Sequence, residues 1–132
     1  MLSDINIKTR SKIEFIDITS QVQGVIDKSG IKEGVCYVYV PHTTAAVTIN
    51  ENADPDVIRD IITKLNEIVP LNGNYRHTEG NSAAHIKASI IGASESVFIK
   101  DGRLILGTWQ SIFFCEFDGP RSRRVFIKLI TQ

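Results

Sequence analysis

The three histidines of this 132-residue chain all lie between positions 42 and 85, among polar residues and turn formers rather than in apolar runs. His42 stands in the segment PHTT, and His77 and His85 bracket the segment TEGNSAA. Imidazole is the side chain best suited to proton transfer near neutral pH and to binding borderline metals. The distribution therefore indicates one chemical site. The alternative is that His42 and His85 are structural and His77 is an exposed loop residue.

The kind of chemistry is left open between metal binding and proton transfer. Three histidines without a cysteine partner resemble an open zinc site, which has three protein ligands and one exchangeable position. However, HExxH is absent, and His77 and His85 are too far apart for one helical face. A zinc site formed by His42, His77 and His85 is therefore one interpretation, and acid–base histidines are the other.

A predicted helix begins beside two of these histidines. Asn81 is suited to cap a helix over residues 82–91, whose first backbone N–H groups attract anions such as phosphate. His85 lies one turn into that helix on about the same face as Asn81, and His77 precedes it in a loop. If the loop folds back, both imidazoles meet the helix end. An ordinary Asn-capped helix is the alternative.

Two arginines are candidates for binding the same anion. Arg121 and Arg123 follow a predicted turn at Asp118 and alternate along a strand, so both project from one face. Two guanidinium groups on one face make a clamp for phosphate or carboxylate. The alternative is an edge strand that is protected by its charges. Arg124 points to the other face and is interpreted as structural.

Three further polar residues are candidates for this site. Glu51 can act as a base or as a carboxylate ligand, and Asp54 can do so too, although it also fits the cap of a helix. Gln110 stands beside Trp109 and can orient a ligand whose flat ring stacks on the indole, and the alternative is that Trp109 is an ordinary core residue.

The elements that must position these residues follow from apolar periodicity and from turn residues. Strands are predicted at 5–7, 13–18, 34–40, 44–50, 96–100, 103–107, 111–117 and 125–130, the first two as a pair. A short helix is predicted at 19–28, and two further helices begin after Asp54 and Asn81. His42 thus falls at a strand junction. The order predicts a mainly β domain, a jelly-roll-like β-sandwich with two inserted α-helices that is α+β by content.

Composition limits the classes of protein. The 132 residues are 42% hydrophobic and 23% charged, which is typical of one globular domain spanning 1–132. A net charge of zero argues against a dedicated nucleic-acid binder. Cys36 and Cys115 lie in apolar runs and are predicted to be buried free thiols. With no signal-peptide pattern and no run of membrane-spanning length, we expect a cytoplasmic protein without a membrane partner.

Five segments, in this order, together resemble the YjbQ-like family of small uncharacterised proteins. They are PHTT at 41–44, NENADPD at 50–56, HTEGNSAAH at 77–85, GTWQ at 107–110 and DGPRSR at 118–123. The resemblance covers essentially the whole chain and implies a β-sandwich that assembles as a homotrimer. It also implies a secondary thiamine-phosphate synthase activity, which joins a pyrimidine methyl pyrophosphate to a thiazole phosphate, releases pyrophosphate and usually needs Mg²⁺.

The residues and the resemblance together predict a small-molecule enzyme that handles phosphorylated substrates. The predicted catalytic residues are His42, His77, His85, Glu51 and Asp54, and the predicted substrate-binding residues are Asn81, Gln110, Asp118, Arg121 and Arg123. Two alternatives stay open. One is a zinc-dependent hydrolase that uses the three histidines, and the other is a trimeric module that binds an anionic metabolite without chemistry.

Overall fold

The computed structural model describes residues 2–131, which form eight strands and three helices. The strands are β1 (Leu2–Lys8), β2 (Glu14–Asp17), β3 (Gly34–Tyr39), β4 (Ala45–Glu51), β5 (Ser94–Lys100), β6 (Arg103–Leu104), β7 (Gln110–Glu116) and β8 (Ser122–Thr131). The helices are α1 (Thr19–Ser29), α2 (Pro55–Ile68) and α3 (Ser82–Ile91). The mainly β fold is confirmed, and the short helix predicted before residue 30 is present as α1.

The strands form two antiparallel sheets. One has five strands in the order β1-β8-β3-β5-β6, and the other has three in the order β2-β7-β4. The prediction that the first two strands pair with each other is wrong, since β1 pairs with β8 and β2 pairs with β7. The connecting segment carries the chain from one sheet to the other, where Thr9 N donates to Arg121 O and Lys12 O accepts from Gly119 N.

The main core lies between the two sheets. Its buried residues alternate with outward ones along the strands, as the two-residue period of a strand requires. Helix α1 closes one side through Val22 and Ile26, both fully buried. The core also contains Ile7, Ile18, Cys36, Val38, Val40, Ala45, Val47, Val97, Ile99, Ile112, Phe114, Val125 and Ile127.

The outer faces of the two sheets differ. Helices α2 and α3 cover the three-stranded sheet, where Leu65 and Ala84 belong to the same apolar cluster as Cys115. The central position predicted for β3 is confirmed, but its outward side chains remain open to solvent, with Tyr37 at 48% and Tyr39 at 50% exposure. The sequence of β3 is apolar on both faces, although other parts of the chain cover only one of those faces.

Two local predictions from capping and turn residues are confirmed. Asp54 Oδ1 accepts a hydrogen bond from Asp56 N at 2.9 Å, and Pro55 is the first residue of α2. Asp101 and Gly102, between β5 and β6, have φ angles of 52° and 76°, as a type I′ hairpin turn requires. No helix within residues 2–131 has the length and apolar character needed to cross a membrane.

Candidate functional site

Six of the ten predicted site residues line one groove of about 440 Å³. They come from separate segments: the β3–β4 loop, the loop before α3, α3 itself and the start of β8. The lining residues are Pro41, His42, Thr43, Thr44, His77, Glu79, Asn81, His85, Arg121 and Arg123. The groove thus brings together all three histidines and both arginines.

His77 and His85 form a close pair at the start of α3. Their ring centroids are 5.3 Å apart, and the rings meet edge to face at 85°. The loop before the helix therefore folds back over the helix end, which is one of the two arrangements that the sequence leaves open. The turn uses Gly80 at a φ of 80°, a conformation that glycine adopts without steric cost. Two imidazoles at this separation can pass a proton between a bound ligand and solvent.

His42 has one nitrogen committed to the protein backbone. Its Nε2 accepts a hydrogen bond of 2.9 Å from the amide of Arg124. An acceptor nitrogen carries no proton, so the neutral ring carries its proton on Nδ1. Burial and then the positive charge of Arg123 lower the pKa of His42, which keeps the ring neutral near pH 7. His42 therefore offers the groove an N–H donor rather than a charge.

Arg123 is held beneath the groove by a fully buried carboxylate. Its Nε donates to Glu116 Oε1 at 2.8 Å, and its Nη2 donates to Glu116 Oε2 and, at 2.9 Å, to Thr44 Oγ1. Burial alone raises the pKa of Glu116. Hydrogen bonds from Arg123, Asp118 N and Thr9 outweigh that effect and leave the pKa below its ordinary value. Glu116 is thus an anion at neutral pH.

Asp118 organises a second, more exposed set of contacts. It accepts hydrogen bonds from Asn81 Nδ2 at 2.9 Å, Arg121 Nη2 at 3.0 Å and Lys12 Nζ at 3.3 Å. Burial raises the pKa of Asp118, but the hydrogen bonds from Asn81, Arg121 and Lys12 have a larger, opposite effect. The pKa therefore lies below its ordinary value, and the carboxylate stays charged. Asp118 supports the groove by fixing Asn81 and Arg121 rather than by facing a ligand.

Two interpretations of these residues are corrected by the contacts. Asn81 is the N-cap residue of α3 by position, but its side chain makes no capping hydrogen bond and binds Asp118 instead. Arg121 and Arg123 face one groove but are not a pair of free clamps. The side chain of Arg123 is only 5% exposed and is paired with Glu116, whereas that of Arg121 is 51% exposed. An incoming anion therefore meets Arg121 first.

Three predicted site residues lie away from the groove within one chain. Glu51 and Gln110 are paired in register at the far end of β4 and β7, about 20 Å along β4 from its start at ~3.3 Å per residue. Gln110 Oε1 accepts from Gly107 N at 2.8 Å, and Asp54 caps α2. Sequence proximity to the motifs does not bring these side chains to the histidines.

The residues of the groove do not fit the predicted zinc or magnesium site. Between residues 2 and 131 no group of three or more His, Cys, Asp or Glu side chains is placed to hold a metal ion. His42 uses Nε2 as an acceptor, so binding a metal through Nδ1 would require the loss of its remaining proton. The ligand set of His42, His77 and His85 is thus not formed, and we assign no chemical step to a metal.

Two residues that support the groove, Glu116 and Thr44, are not among the predicted site residues. Both are buried and both bind Arg123. A signal for Glu116 exists, because it is the one charged residue in the run IFFCEF at 112–117. A carboxylate within an apolar strand needs a buried cationic partner.

The chain is similar to proteins of one known family. The model of the UPF0047 YjbQ-like protein family matches residues 3–132. A UPF0047 protein of Methanocaldococcus jannaschii is 53% identical over 130 residues, which cover 98% of this chain and 94% of that protein. YugU of Bacillus subtilis is 52% identical and covers 98% and 99% of the two chains.

Solved structures agree with the fold. An uncharacterised YjbQ/UPF0047 protein of Clostridium acetobutylicum has a TM-score of 0.95 at 54% identity and covers 97% of this chain and 99% of its own. A protein of unknown function from Sulfolobus solfataricus has a TM-score of 0.95 at 36% identity and covers 100% and 97% of the two chains.

Proposed function

We propose that this chain, which belongs to the UPF0047 YjbQ-like family, is an enzyme that acts on a phosphorylated small molecule in the groove around its three histidines. One observation carries the proposal. A close histidine pair, a neutral third histidine and two arginines converge on a single groove of about 440 Å³. Proton-transfer groups beside anion-binding groups are what phosphate ester or pyrophosphate chemistry needs.

Each group has a distinct role in this proposal. Arg121, whose guanidinium is half exposed, binds the phosphate, and the N–H groups at the start of α3 add to the positive field. Arg123 is fixed by Glu116 and contributes charge from below. His42 donates Nδ1–H to a substrate oxygen. His77 and His85 supply the proton that a departing oxygen requires.

Thiamine-phosphate synthesis is the named reaction that we propose to test. The thiazole nitrogen forms a bond to the methylene carbon of the pyrimidine while the carbon–oxygen bond to pyrophosphate breaks. The leaving pyrophosphate takes the bonding electron pair, and its charge suits Arg121 and the α3 N-terminus. A hydrolase of phosphate esters would use the same groups with water as the nucleophile.

The assay compares purified wild-type protein with His85→Ala and with the control Lys64→Gln. Lys64 lies on the exposed face of α2, where it pairs with Glu67. Both thiamine precursors and a panel of phosphate esters are supplied, and released pyrophosphate and phosphate are measured. We expect His85→Ala to lose about 10²–10⁴-fold in rate, the usual contribution of an acid–base group, while Lys64→Gln keeps its activity. Equal rates for His85→Ala and wild type would refute the proposed role.

We further propose that the protein assembles as a homotrimer. The open face of the five-stranded sheet supports this assembly, because Phe98 is 71% exposed and lies in register opposite Val35, close to Ile130. Apolar side chains grouped on an uncovered face are typical of association surfaces. The mass of the particle in solution, measured by light scattering, tests the assembly, and a strictly monomeric particle would contradict it.

A further inference from the structure

A second pocket of about 290 Å³ lies between α2, α3 and the end of β7. Its walls are mainly apolar, and it touches the histidine groove only through Asn81, which lines both. The lining residues are Lys12, Ile13, Asn66, Leu71, Asn81, Ala83, Ala84, Lys87, Phe117 and Asp118. The volume is near the lower end of the range for small-molecule sites.

Lys87 is the unusual residue of this pocket. It is only 2% exposed, and its ammonium makes one hydrogen bond, to Asn66 Oδ1. Within residues 2–131 it takes part in no ion pair, whereas an ammonium group has three N–H donors. A buried cation without a counter-charge is costly, and burial accordingly lowers the pKa of Lys87.

The nearby carboxylate does not relieve this cost. Asp118 lines the same pocket, but it is already bound to Asn81, Arg121 and Lys12. Lys87 therefore retains two donors and a positive charge that no acceptor of the described chain satisfies. A ligand with an anionic oxygen would supply an acceptor for these donors and a counter-charge for the ammonium.

Asn81 adds a second unmet requirement. Its Oδ1 is buried and is the one buried side-chain polar atom of the described residues that has no hydrogen-bond partner. Its Nδ2 is held by Asp118, which fixes the orientation of the amide. A buried acceptor without a donor is unfavourable, because its lost hydrogen bonds to water are not replaced. A ligand that donates a hydrogen bond to Asn81 Oδ1 would remove this cost.

We propose that this pocket binds a small monocarboxylic acid whose carboxylate pairs with Lys87, whose body is apolar and whose hydroxyl or amino group donates to Asn81. The pocket holds one unpaired cation, and Asp118 at its edge disfavours a doubly charged phosphate. Apolar walls formed by Ile13, Leu71 and Phe117 suit an aromatic or branched body. This inference does not depend on the catalytic role of the groove.

Benzoate and its three hydroxybenzoate isomers are the probes, and their methoxy counterparts are the matched controls. Binding is measured at pH 7.5 by calorimetry and by the shift in the unfolding temperature of the full chain. We expect saturable binding, with at least one hydroxybenzoate about tenfold tighter than its methoxy counterpart, which cannot donate to Asn81 Oδ1. Inorganic phosphate is expected not to displace the bound acid.

Two variants separate this site from the groove. Lys87→Met keeps the length of the side chain and removes its charge, and we expect it to bind the acids at least tenfold more weakly. Asn66 is exposed, so water replaces its lost partner and the variant is expected to fold. His85→Ala alters only the groove, so it is expected to bind the acids like wild type, whatever its activity.

Three outcomes would overturn the proposal: no saturable binding of any probe, equal binding by Lys87→Met, or loss of binding in His85→Ala. If Lys87→Met does not fold, NMR of the wild-type protein provides the decision. The Nζ resonance of Lys87 should shift as benzoate saturates, and an unchanged resonance would refute the assignment.

Discussion

Removing the side chain of Arg123 should leave the carboxylate of Glu116 unpaired in the interior of the protein. The variant Arg123→Met keeps most of the volume of the side chain but takes away the guanidinium that binds Glu116 and Thr44. Glu116 is completely buried and would keep only its hydrogen bonds from Thr9 and Asp118 N. The substitution therefore leaves one buried carboxylate without its counter-ion.

The magnitude follows from the burial of both partners. Removing one member of a buried ion pair typically costs about 3–5 kcal/mol, because the partner is left uncompensated. Arg123 and Glu116 have side-chain exposures of 5% and 0%, so solvent screening does not reduce this figure. For a chain of this length the loss corresponds to a fall in Tm of about 10–20 °C.

The dependence of stability on pH should change sign. In the wild type the pKa of Glu116 is lowered in the folded state, so its stabilisation is present above the unfolded value of about 4.3 and is lost as the pH falls. In Arg123→Met burial dominates and raises the folded pKa. The variant should then be relatively more stable at pH 5 than at pH 8, because protonated Glu116 is less costly to bury.

Urea unfolding at equal protein concentration, from pH 4 to pH 8, measures both effects. Far-UV circular dichroism is the suitable signal, since Trp109 is 63% exposed and its fluorescence reports poorly on the core. The double variant Arg123→Met with Glu116→Leu should recover about half of the lost free energy of unfolding. A loss below ~1 kcal/mol in the single variant, or an unchanged pH slope, would refute the reasoning.

Two further predictions concern a tautomer and two thiols. Two-bond proton–nitrogen NMR at pH 7 should show that His42 is protonated on Nδ1, and a proton on Nε2 would contradict the hydrogen bond from the amide of Arg124. The pKa of His42 should lie below its ordinary value of about 6.5, because burial and then the charge of Arg123 lower it. Burial raises the pKa of Cys36 to about 11 and also raises the pKa of Cys115, so a thiol reagent at pH 8 should modify both only after unfolding; rapid reaction of the native protein would contradict their burial.

Residues whose roles depend on local chain geometry were predictable from the sequence. Asp54 caps α2 and Asp101-Gly102 forms the hairpin turn because capping and turn conformations involve only a few neighbouring residues. The meeting of His77 and His85 also follows from a short loop that folds back on a helix end. Local rules thus indicated the histidine pair of the groove.

Residues whose roles depend on distant partners were not predictable in the same way. The sequence favours either an anion clamp or a charged edge strand for Arg123, and neither interpretation includes Glu116, which lies on another strand and meets Arg123 only through the packing of both sheets. Glu51 and Gln110 were grouped with the histidines by motif, yet the register of β4 and β7 carries them to the far end of the sheet. A motif orders residues along the chain but does not give their separation in space.

The position of β8 ties the last stage of folding to the formation of the groove. This strand comes last along the described chain, yet it lies between β1 and β3 and also contains Arg123. Without β8, β1 has no neighbour in its sheet and Glu116 has no counter-ion. The pairing of β8 with β1 and β3 therefore joins the five-stranded sheet, pairs Glu116 with Arg123 and places Arg123 in the wall of the groove. The contact that joins β1 to the rest of its sheet thus also supplies a wall of the groove, so loss of β8 would remove both together.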